Sequence, residues 1–252
     1  MIDTHSHINF PEYRTNFSEF IENLKKENIE KVIIPGVDPS TFDEIINLCR
    51  KYDMLFGAIG VHPSECLTYT KHTRQIICEA VKNPKIIAIG EIGLDYYWTT
   101  ETKEEQKSVF RQQLEIAQEV QLPVIIHDRQ AHEDTFNILN EFKNLKDVVF
   151  HCFSGTPEFA KRCTDKGYYI AIGGVVTFKN AKDLKETAKI VPADKLLLET
   201  DAPYLTPVPF RGKLNSPGYL KYIAQEIANL RNISMEEIRE QTTINAKRLF
   251  NF

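Results

Sequence analysis

Several kinds of protein are excluded by what the chain lacks. Its five cysteines are scattered and odd in number, and no two of them form a C-x-x-C pair, which argues against a disulfide framework and a thiolate zinc site. No uninterrupted apolar run approaches the roughly 20 residues that cross a bilayer. Asp3, His5 and His7 interrupt the first residues where a signal peptide carries its apolar segment. We therefore expect a cytoplasmic protein with no membrane partner.

Phosphate-binding loops and a positive overall charge are also missing. No G-x-G-x-x-G or P-loop motif follows any apolar run, so the usual phosphate-binding turns of an open doubly wound sheet are absent from the sequence. The formal net charge is −4, and a negative protein has no general field that attracts nucleic acid. A polyanionic substrate would therefore need local basic residues or a bound cation.

A short apolar run followed by a segment with helical spacing recurs eight times. The runs cover residues 1–7, 31–37, 54–63, 85–95, 122–129, 147–153, 167–174 and 195–203. Nearly continuous apolar runs are typical of strands buried on both faces of a parallel sheet. Eight βα units in 252 residues predict an α/β fold, a (β/α)8 TIM barrel. A doubly wound sheet is the alternative. With no linker or low-complexity tract, residues 1–252 are expected to form one domain.

Capping signals predict where three of the helices begin. They are a capping box at Thr102 with Glu105, an N-cap at Thr156 before Pro157, and a capping box at Ser234 with Glu237.

Polar residues gather at the carboxyl ends of the predicted strands, where barrels of this class place their active sites. They are His5 and His7 on the first run, His62 on the third, Glu91 on the fourth, His127 on the fifth, His151 on the sixth and Asp201 on the eighth. The other two histidines, His72 and His132, fall in helix-like segments. Each residue taken alone fits a hydrogen-bonded core position, but independent structural roles give no reason to converge on one rim. The set predicts a metal centre.

Four histidines and two carboxylates are more ligands than one tetrahedral ion takes. They suit two divalent ions with Glu91 as the shared ligand, and without thiolates the plausible ions are Zn, Mn, Mg, Co or Fe. Such a centre predicts hydrolysis of a phosphoester, amide or lactone. Asp201 is expected both to bind metal and to accept the proton of the attacking water. Asp3, on the side of the strand that carries His5 and His7, is expected to orient an imidazole.

Six motifs, in order along the chain, resemble the TatD family of metal-dependent deoxyribonucleases. They are IDTHSH (2–7), AIGEIGLDYY (88–97), QLPVIIH (121–127), HCFSG (151–155), ETDAPYLTPVPFRG (199–212) and NAKRLF (245–250). The resemblance implies a (β/α)8 hydrolase that cleaves DNA, commonly as a 3′→5′ exonuclease. It implies the metal ligands His5, His7, Glu91, His127, His151 and Asp201, with Glu91 in the place that a carboxylated lysine takes in related amidohydrolases.

Three positions depart from the family pattern. Ser64 stands where a second histidine is expected, Asp128 where serine is usual, and Phe210 where histidine is frequent. They flank the predicted ligands, so they bear on substrate preference and not on the metal site.

A phosphodiester substrate also needs donors and cations. Arg129, Arg211 with Lys213, and His62 are the candidates for binding phosphate. The aromatic residues 96–98 are candidates for stacking on an unpaired base.

Three function classes follow. The first is a monomeric nuclease acting on single-stranded DNA or DNA 3′ ends. The second is a hydrolase of another bond, such as the ester of a D-aminoacyl-tRNA or a cyclic amide. The third is a binding scaffold with a structural metal, although structural zinc sites are usually closed and four-coordinate.

Overall fold

Strands and helices alternate along the chain in the computed structural model, which describes residues 1–98 and 100–252. Eight strands are hydrogen-bonded in chain order in one sheet. They are β1 (Ile2–Asp3), β2 (Lys31–Pro35), β3 (Leu55–Ile59), β4 (Ile86–Asp95), β5 (Val124–Arg129), β6 (Val148–Phe150), β7 (Tyr169–Ile172) and β8 (Leu196–Leu198). Each lies inside one of the eight apolar runs. Almost every strand residue is buried, which is why the runs are continuous and not alternating.

A helix follows each strand, and a ninth helix ends the chain. The helices are α1 (Phe17–Lys26), α2 (Pro39–Lys51), α3 (Lys71–Ala80), α4 (Lys103–Val120), α5 (His132–Glu141), α6 (Pro157–Asp165), α7 (Lys182–Ile190), α8 (Leu220–Arg231) and α9 (Met235–Phe250). His72 and His132 lie in α3 and α5, as predicted. Among the described residues, no helix is both long enough and apolar enough to cross a membrane.

All three helices begin where predicted, and two of them have the predicted side-chain caps. The Thr156 hydroxyl accepts a hydrogen bond from the Phe159 amide, and Ser234 and Glu237 form the capping box. The capping box at Thr102 is wrong. Thr102 has ψ 22° instead of the extended backbone of an N-cap, and among the described residues its hydroxyl makes no cap bond but accepts one from Gln106 Nε2 at 3.3 Å.

The chain forms two compact units: unit 1 contains residues 1–34 and 152–252, and unit 2 contains residues 35–151. In unit 1, β1 pairs in parallel with β2, and β7 pairs with β8. Thr4 N donates to Leu198 O at 3.2 Å, and Ser6 forms a parallel bridge with Ala202, so β1 also adjoins β8. That residues 1–252 form one domain stays a prediction.

In unit 2, the strands β3 to β6 pair in parallel, and two buried glutamines of α4 hold their ends. The Gln106 side chain accepts from Asp95 N at 2.9 Å and donates to Asp95 O at 3.0 Å. Seven residues further on, Gln113 makes the same pair of bonds with Val61, at 2.7 and 3.0 Å. Each amide satisfies a buried peptide group beyond or at the end of a strand. Helix α4 thereby fixes two backbone positions next to the candidate site.

Asp128, the departure from the family pattern on β5, has its partners on α5. His132 Nδ1 lies 2.6 Å from Asp128 Oδ2, and Thr135 Oγ1 donates to Asp128 Oδ1 at 3.1 Å. The hydrogen bond to the Asp128 carboxylate raises the pKa of His132 above its usual value. This ion pair joins β5 to the helix that follows it.

The pair makes a prediction about pH. Because the pKa of His132 is raised by folding, its stabilisation is fully present below about pH 6.5 and is lost as the pH rises through the folded-state pKa. We expect His132→Gln to cost about 1 kcal/mol of unfolding free energy at pH 6 and less at pH 9. Thermal unfolding of the wild type and of the His132→Gln variant between pH 6 and pH 9 measures this difference. His72→Gln, which changes an exposed histidine of α3, is the control. A difference that does not change with pH would contradict the assignment.

Candidate metal-binding site

The first candidate metal group lies in unit 1 and consists of His5, His7 and Asp201. The Nε2 atoms of His5 and His7 are 3.3 Å apart. Asp201 Oδ1 lies 3.8 Å from the first and 3.6 Å from the second. Both histidines are buried, whereas the Asp201 side chain keeps 14% of its surface exposed. The ligand atoms of the three side chains therefore lie close together, and of the three side chains the Asp201 carboxylate is the most exposed to solvent.

Backbone pairing beyond the strands brings these residues together. Strand β1 ends at Asp3, and β8 ends at Leu198, so all three ligand candidates lie past the strand ends. Asp201 N donates to His5 O at 2.9 Å, and His7 N donates to Ala202 O at 2.7 Å. These two bonds hold Asp201 in the left-handed region, with φ 55°.

Asp3 positions backbone and not an imidazole ring. Its Oδ1 accepts from His5 N at 3.2 Å and from Thr200 N at 3.0 Å, and its Oδ2 accepts from Thr200 Oγ1. Burial raises the pKa of Asp3 to about 8. The hypothesis that Asp3 orients an imidazole is wrong, because both of its oxygens are used by the two segments that carry His5 and Asp201.

The second candidate group lies in unit 2 around Glu91. One carboxylate oxygen, Oε1, lies 2.6 Å from His127 Nδ1, 2.7 Å from His151 Nε2 and 3.5 Å from His62 Nε2. The first two nitrogens are 3.3 Å from each other. Glu91 is 3% exposed. A single buried oxygen thus faces three imidazole nitrogens.

The strand positions in this group differ from the prediction in two cases. His151 directly follows β6, and His62 lies three residues beyond β3, as expected for a strand-end site. Glu91 and His127 lie inside their strands, because β4 and β5 continue to Asp95 and Arg129. The pairing of β4 with β5 shifts register between Ile89 and Ile92, beside Glu91. Such irregularities re-aim side chains next to active sites.

Asp95, the last residue of β4, is a site residue that the sequence reasoning missed. Its Oδ2 lies 2.9 Å from His127 Nε2, so it accepts the proton of that nitrogen and leaves Nδ1 to face Glu91. Burial alone would lower the pKa of His127, but the bonds to Asp95 and Glu91 raise it. The sequence signal that could have identified Asp95 is its place as the last residue of the GEIGLD run. It lies two residues beyond the β4 position that pairs with His127 in β5.

His62 is arranged as a hydrogen-bond donor. Its Nδ1 accepts from the Ser64 amide at 3.1 Å and lies 2.8 Å from Ser64 Oγ. A backbone amide only donates, so the ring proton belongs to Nε2, the nitrogen that faces Glu91. Burial, with the neighbouring His127, lowers the pKa of His62 to about 3, which keeps the ring neutral. A nitrogen that carries a proton does not bind a metal ion. The backbone amide of Ser64, the position where the family resemblance led us to expect histidine, fixes this tautomer.

Both groups have the donor types of a divalent metal site, but only the first has the spacing, because Glu91 Oε1 in the second group lies at hydrogen-bond distance, 2.6 and 2.7 Å, from two imidazole nitrogens. Ligand atoms that share one ion at 2.0–2.2 Å stand roughly 3.4 Å apart, and the nitrogen–nitrogen and nitrogen–oxygen distances in the first group are 3.3 to 3.8 Å. The donors are imidazole nitrogens and carboxylate oxygens, which suit Zn, Mn, Co and Fe and, through the carboxylates, Mg. That all six predicted ligands serve one two-metal centre stays a prediction.

The predicted phosphate-binding cations lie against aromatic rings. The Arg129 guanidinium is 3.8 Å from the centre of the Tyr97 ring, and the Arg211 guanidinium is 4.0 Å from that of Phe178. The Lys213 ammonium is 5.6 Å from the Phe210 ring, so Phe210 supports the basic loop after β8. The rings orient these charges without neutralising them.

The carboxylate behind His127 can be tested through metal affinity. We expect Asp95→Asn to weaken the binding of one ion roughly 10- to 100-fold, because an amide is a poorer partner for the imidazole than a carboxylate. Chelator competition followed by metal analysis measures it. Asp134→Asn, which changes a carboxylate on α5 bonded to Tyr96, is the control. Equal metal affinity in the Asp95 variant would contradict the assignment.

The donor assignment of His62 separates it from the ligands. In His62→Gln the side-chain amide retains an N–H donor, so we expect the bound metal per chain to remain unchanged, whereas His127→Gln loses metal. Metal analysis after gel filtration measures both variants. Loss of metal from the His62 variant would show that His62 is a ligand.

Comparison with known proteins gives one consistent result. The family model described as TatD related DNase matches residues 2–251. The uncharacterized metal-dependent hydrolase YabD of Bacillus subtilis is 46% identical over 252 residues, which cover 99% of this chain and 98% of that protein. The 3′-5′ ssDNA/RNA exonuclease TatD of Erwinia tasmaniensis is 33% identical over 258 residues, covering 100% of both.

A solved structure agrees with these relatives. The crystal structure of YJJV, a TatD homologue from Escherichia coli, has a TM-score of 0.95 and 30% sequence identity, and the match covers 100% of this chain and 98% of that one. With the strand order, this likeness confirms the predicted (β/α)8 barrel class.

Proposed function

Since this chain belongs to the TatD-related DNase family and is a metal-dependent hydrolase, we propose that it hydrolyses DNA phosphodiester bonds as a 3′→5′ exonuclease. Its substrate is single-stranded DNA or a DNA 3′ end, and it acts as a monomer. The name of the Erwinia tasmaniensis relative, a 3′-5′ ssDNA/RNA exonuclease, supports both the bond and the direction. Membership of a hydrolase family argues against a purely structural metal scaffold.

The observation that carries the proposal is the pair of nitrogen- and oxygen-donor groups. We assign one ion to His5, His7 and Asp201, and another to Glu91, His127 and His151, with Glu91 as the shared ligand. Divalent ions bound there would polarise a phosphoryl oxygen and lower the pKa of a water molecule. The donor chemistry allows Zn, Mn, Mg, Co or Fe.

The side chains then have distinct roles in the reaction. Asp201, the partly exposed carboxylate of the first group, accepts the proton of the attacking water. Water adds to phosphorus, the bond from phosphorus to the oxygen of the remaining strand breaks, and that oxygen takes up a proton. His62 donates its Nε2–H to a phosphoryl oxygen, where negative charge increases in the transition state. Arg129 and Arg211 bind neighbouring phosphates. Glu91 holds the histidines of its group in place.

The proposal is tested with an oligonucleotide labelled at its 5′ end, incubated with Mg²⁺ or Mn²⁺. We expect a ladder that shortens from the 3′ end, lost on chelation. Removing the proton acceptor in Asp201→Asn is expected to lower the rate by roughly 100-fold or more. Asp165→Asn changes an exposed carboxylate on α6 and serves as control.

Two results would contradict the proposal. If the oligonucleotide stays intact although the protein holds its metals, the bond is wrong, and a D-aminoacyl-tRNA ester is the next substrate. If Asp201→Asn cleaves as fast as the wild type, Asp201 does not accept the proton.

A further inference from the structure

Two exposed aromatic rings and one cation lie together where β4 and β5 end. We propose that Tyr97, Trp98 and Arg129, here called the aromatic platform, stack against an unpaired base of the bound strand. The inference rests on the proposed nuclease function and names how the single strand is held.

The platform offers ring surface and positive charge to the outside. Trp98 is 72% exposed and Tyr97 is 50% exposed, although side chains of this size are usually covered. Their ring centres are 4.9 Å apart at an angle of 86°. The Arg129 guanidinium lies 3.8 Å from the Tyr97 ring centre and 5.5 Å from that of Trp98. The stacked guanidinium keeps its charge available to a phosphate.

The neighbouring Tyr96 shows what a ring used for packing looks like. Its hydroxyl donates to Asp134 Oδ2 at 2.7 Å, and the Lys103 ammonium lies 4.2 Å from its ring centre. Tyr96 is therefore held against helices α4 and α5. Tyr97 and Trp98 follow it directly in the chain and turn outward instead.

One buried carboxylate ties the platform to the candidate metal group of unit 2. Asp95 Oδ1 accepts from the amides of Tyr97 at 2.9 Å and Trp98 at 3.3 Å, while Oδ2 faces His127 Nε2 at 2.9 Å. Arg129 pairs in register with Asp95 and lies two residues after His127 on β5. Residues two apart on a strand share a face, about 7 Å from each other. The platform is thus fixed close to a proposed ligand.

The chemistry of this surface favours an unpaired base over other partners. Every base has a π face, so stacking on Tyr97 and Trp98 is independent of sequence, and the adjacent guanidinium suits the phosphate of the same strand. A blunt duplex hides its base faces. A folded acidic protein surface would use Arg129 but leave the rings uncovered.

Trp98 is the single tryptophan of the chain, so fluorescence excited at a wavelength where the ten tyrosines absorb little reports on the platform alone. The experiment uses the full wild-type chain with its metals, and the oligomers carry phosphorothioate linkages to prevent cleavage. Oligothymidylate is expected to quench the fluorescence saturably. An abasic oligomer of the same length and charge is expected to need an about tenfold higher concentration to bind to the same extent. Equal quenching by both, or binding seen by anisotropy without quenching, would overturn the proposal.

Substitutions give an independent readout in the same protein. Tyr97→Leu and Trp98→Leu are each expected to weaken binding of a labelled oligothymidylate about tenfold without changing metal content. The matched control is Tyr52→Leu at the end of α2, because it removes another ring that lies beside a cation, the Lys51 ammonium at 5.2 Å. Unchanged affinity in both platform variants would overturn the inference.

Cleavage by the wild-type protein, measured in parallel, separates this inference from the proposed function. Cleavage without quenching by oligothymidylate overturns the platform and leaves the nuclease intact. Quenching without cleavage supports the platform and contradicts the nuclease.

Discussion

The arrangement around Glu91 depends on one electrostatic constraint. A buried carboxylate is costly unless positive or hydrogen-donating groups surround it, and here one oxygen has three imidazole nitrogens within 3.5 Å. Two of these imidazoles, those of His127 and His151, and the Glu91 carboxylate are also ligand types that a divalent cation binds. Burial therefore restricts which residues can stand in this group, because a buried charge without hydrogen-bond or charge partners would destabilise the fold.

Several other polar groups hold residues of the candidate site in place. Asp95 holds His127, Ser64 holds His62, and Asp3 holds the backbone beside His5. The amides of Gln106 and Gln113 do the same for peptide groups next to Asp95 and His62. Function and stability therefore use the same buried hydrogen bonds, and a change in one of these residues affects both.

In the proposed chemistry, buried residues bind the metal ions and exposed residues meet water and the substrate. The ligand candidates are mostly buried, and His127 is also hydrogen-bonded to Asp95 through its second ring nitrogen, which restricts the positions that these side chains can take. Asp201 and the platform of Tyr97, Trp98 and Arg129 are partly or largely exposed, as groups that meet water and a polymer must be. Asp95 contacts both kinds of residue, because its Oδ2 faces His127 and its Oδ1 accepts from the amides of Tyr97 and Trp98.

The sequence alone determined the eight strands, the two correct helix caps, the family and the residue types of the two candidate metal groups, because burial on both faces and metal chemistry each restrict residue choice locally. It failed at the capping box of Thr102 with Glu105, because the Thr102 backbone is not extended and its side chain makes no cap bond to any described residue. Only the tertiary structure decided that Glu91 and His127 lie inside their strands, that Asp3 binds backbone, and that His62 carries its proton on Nε2. Those outcomes depend on which atoms meet across neighbouring strands and loops, and no local pattern specifies such distances.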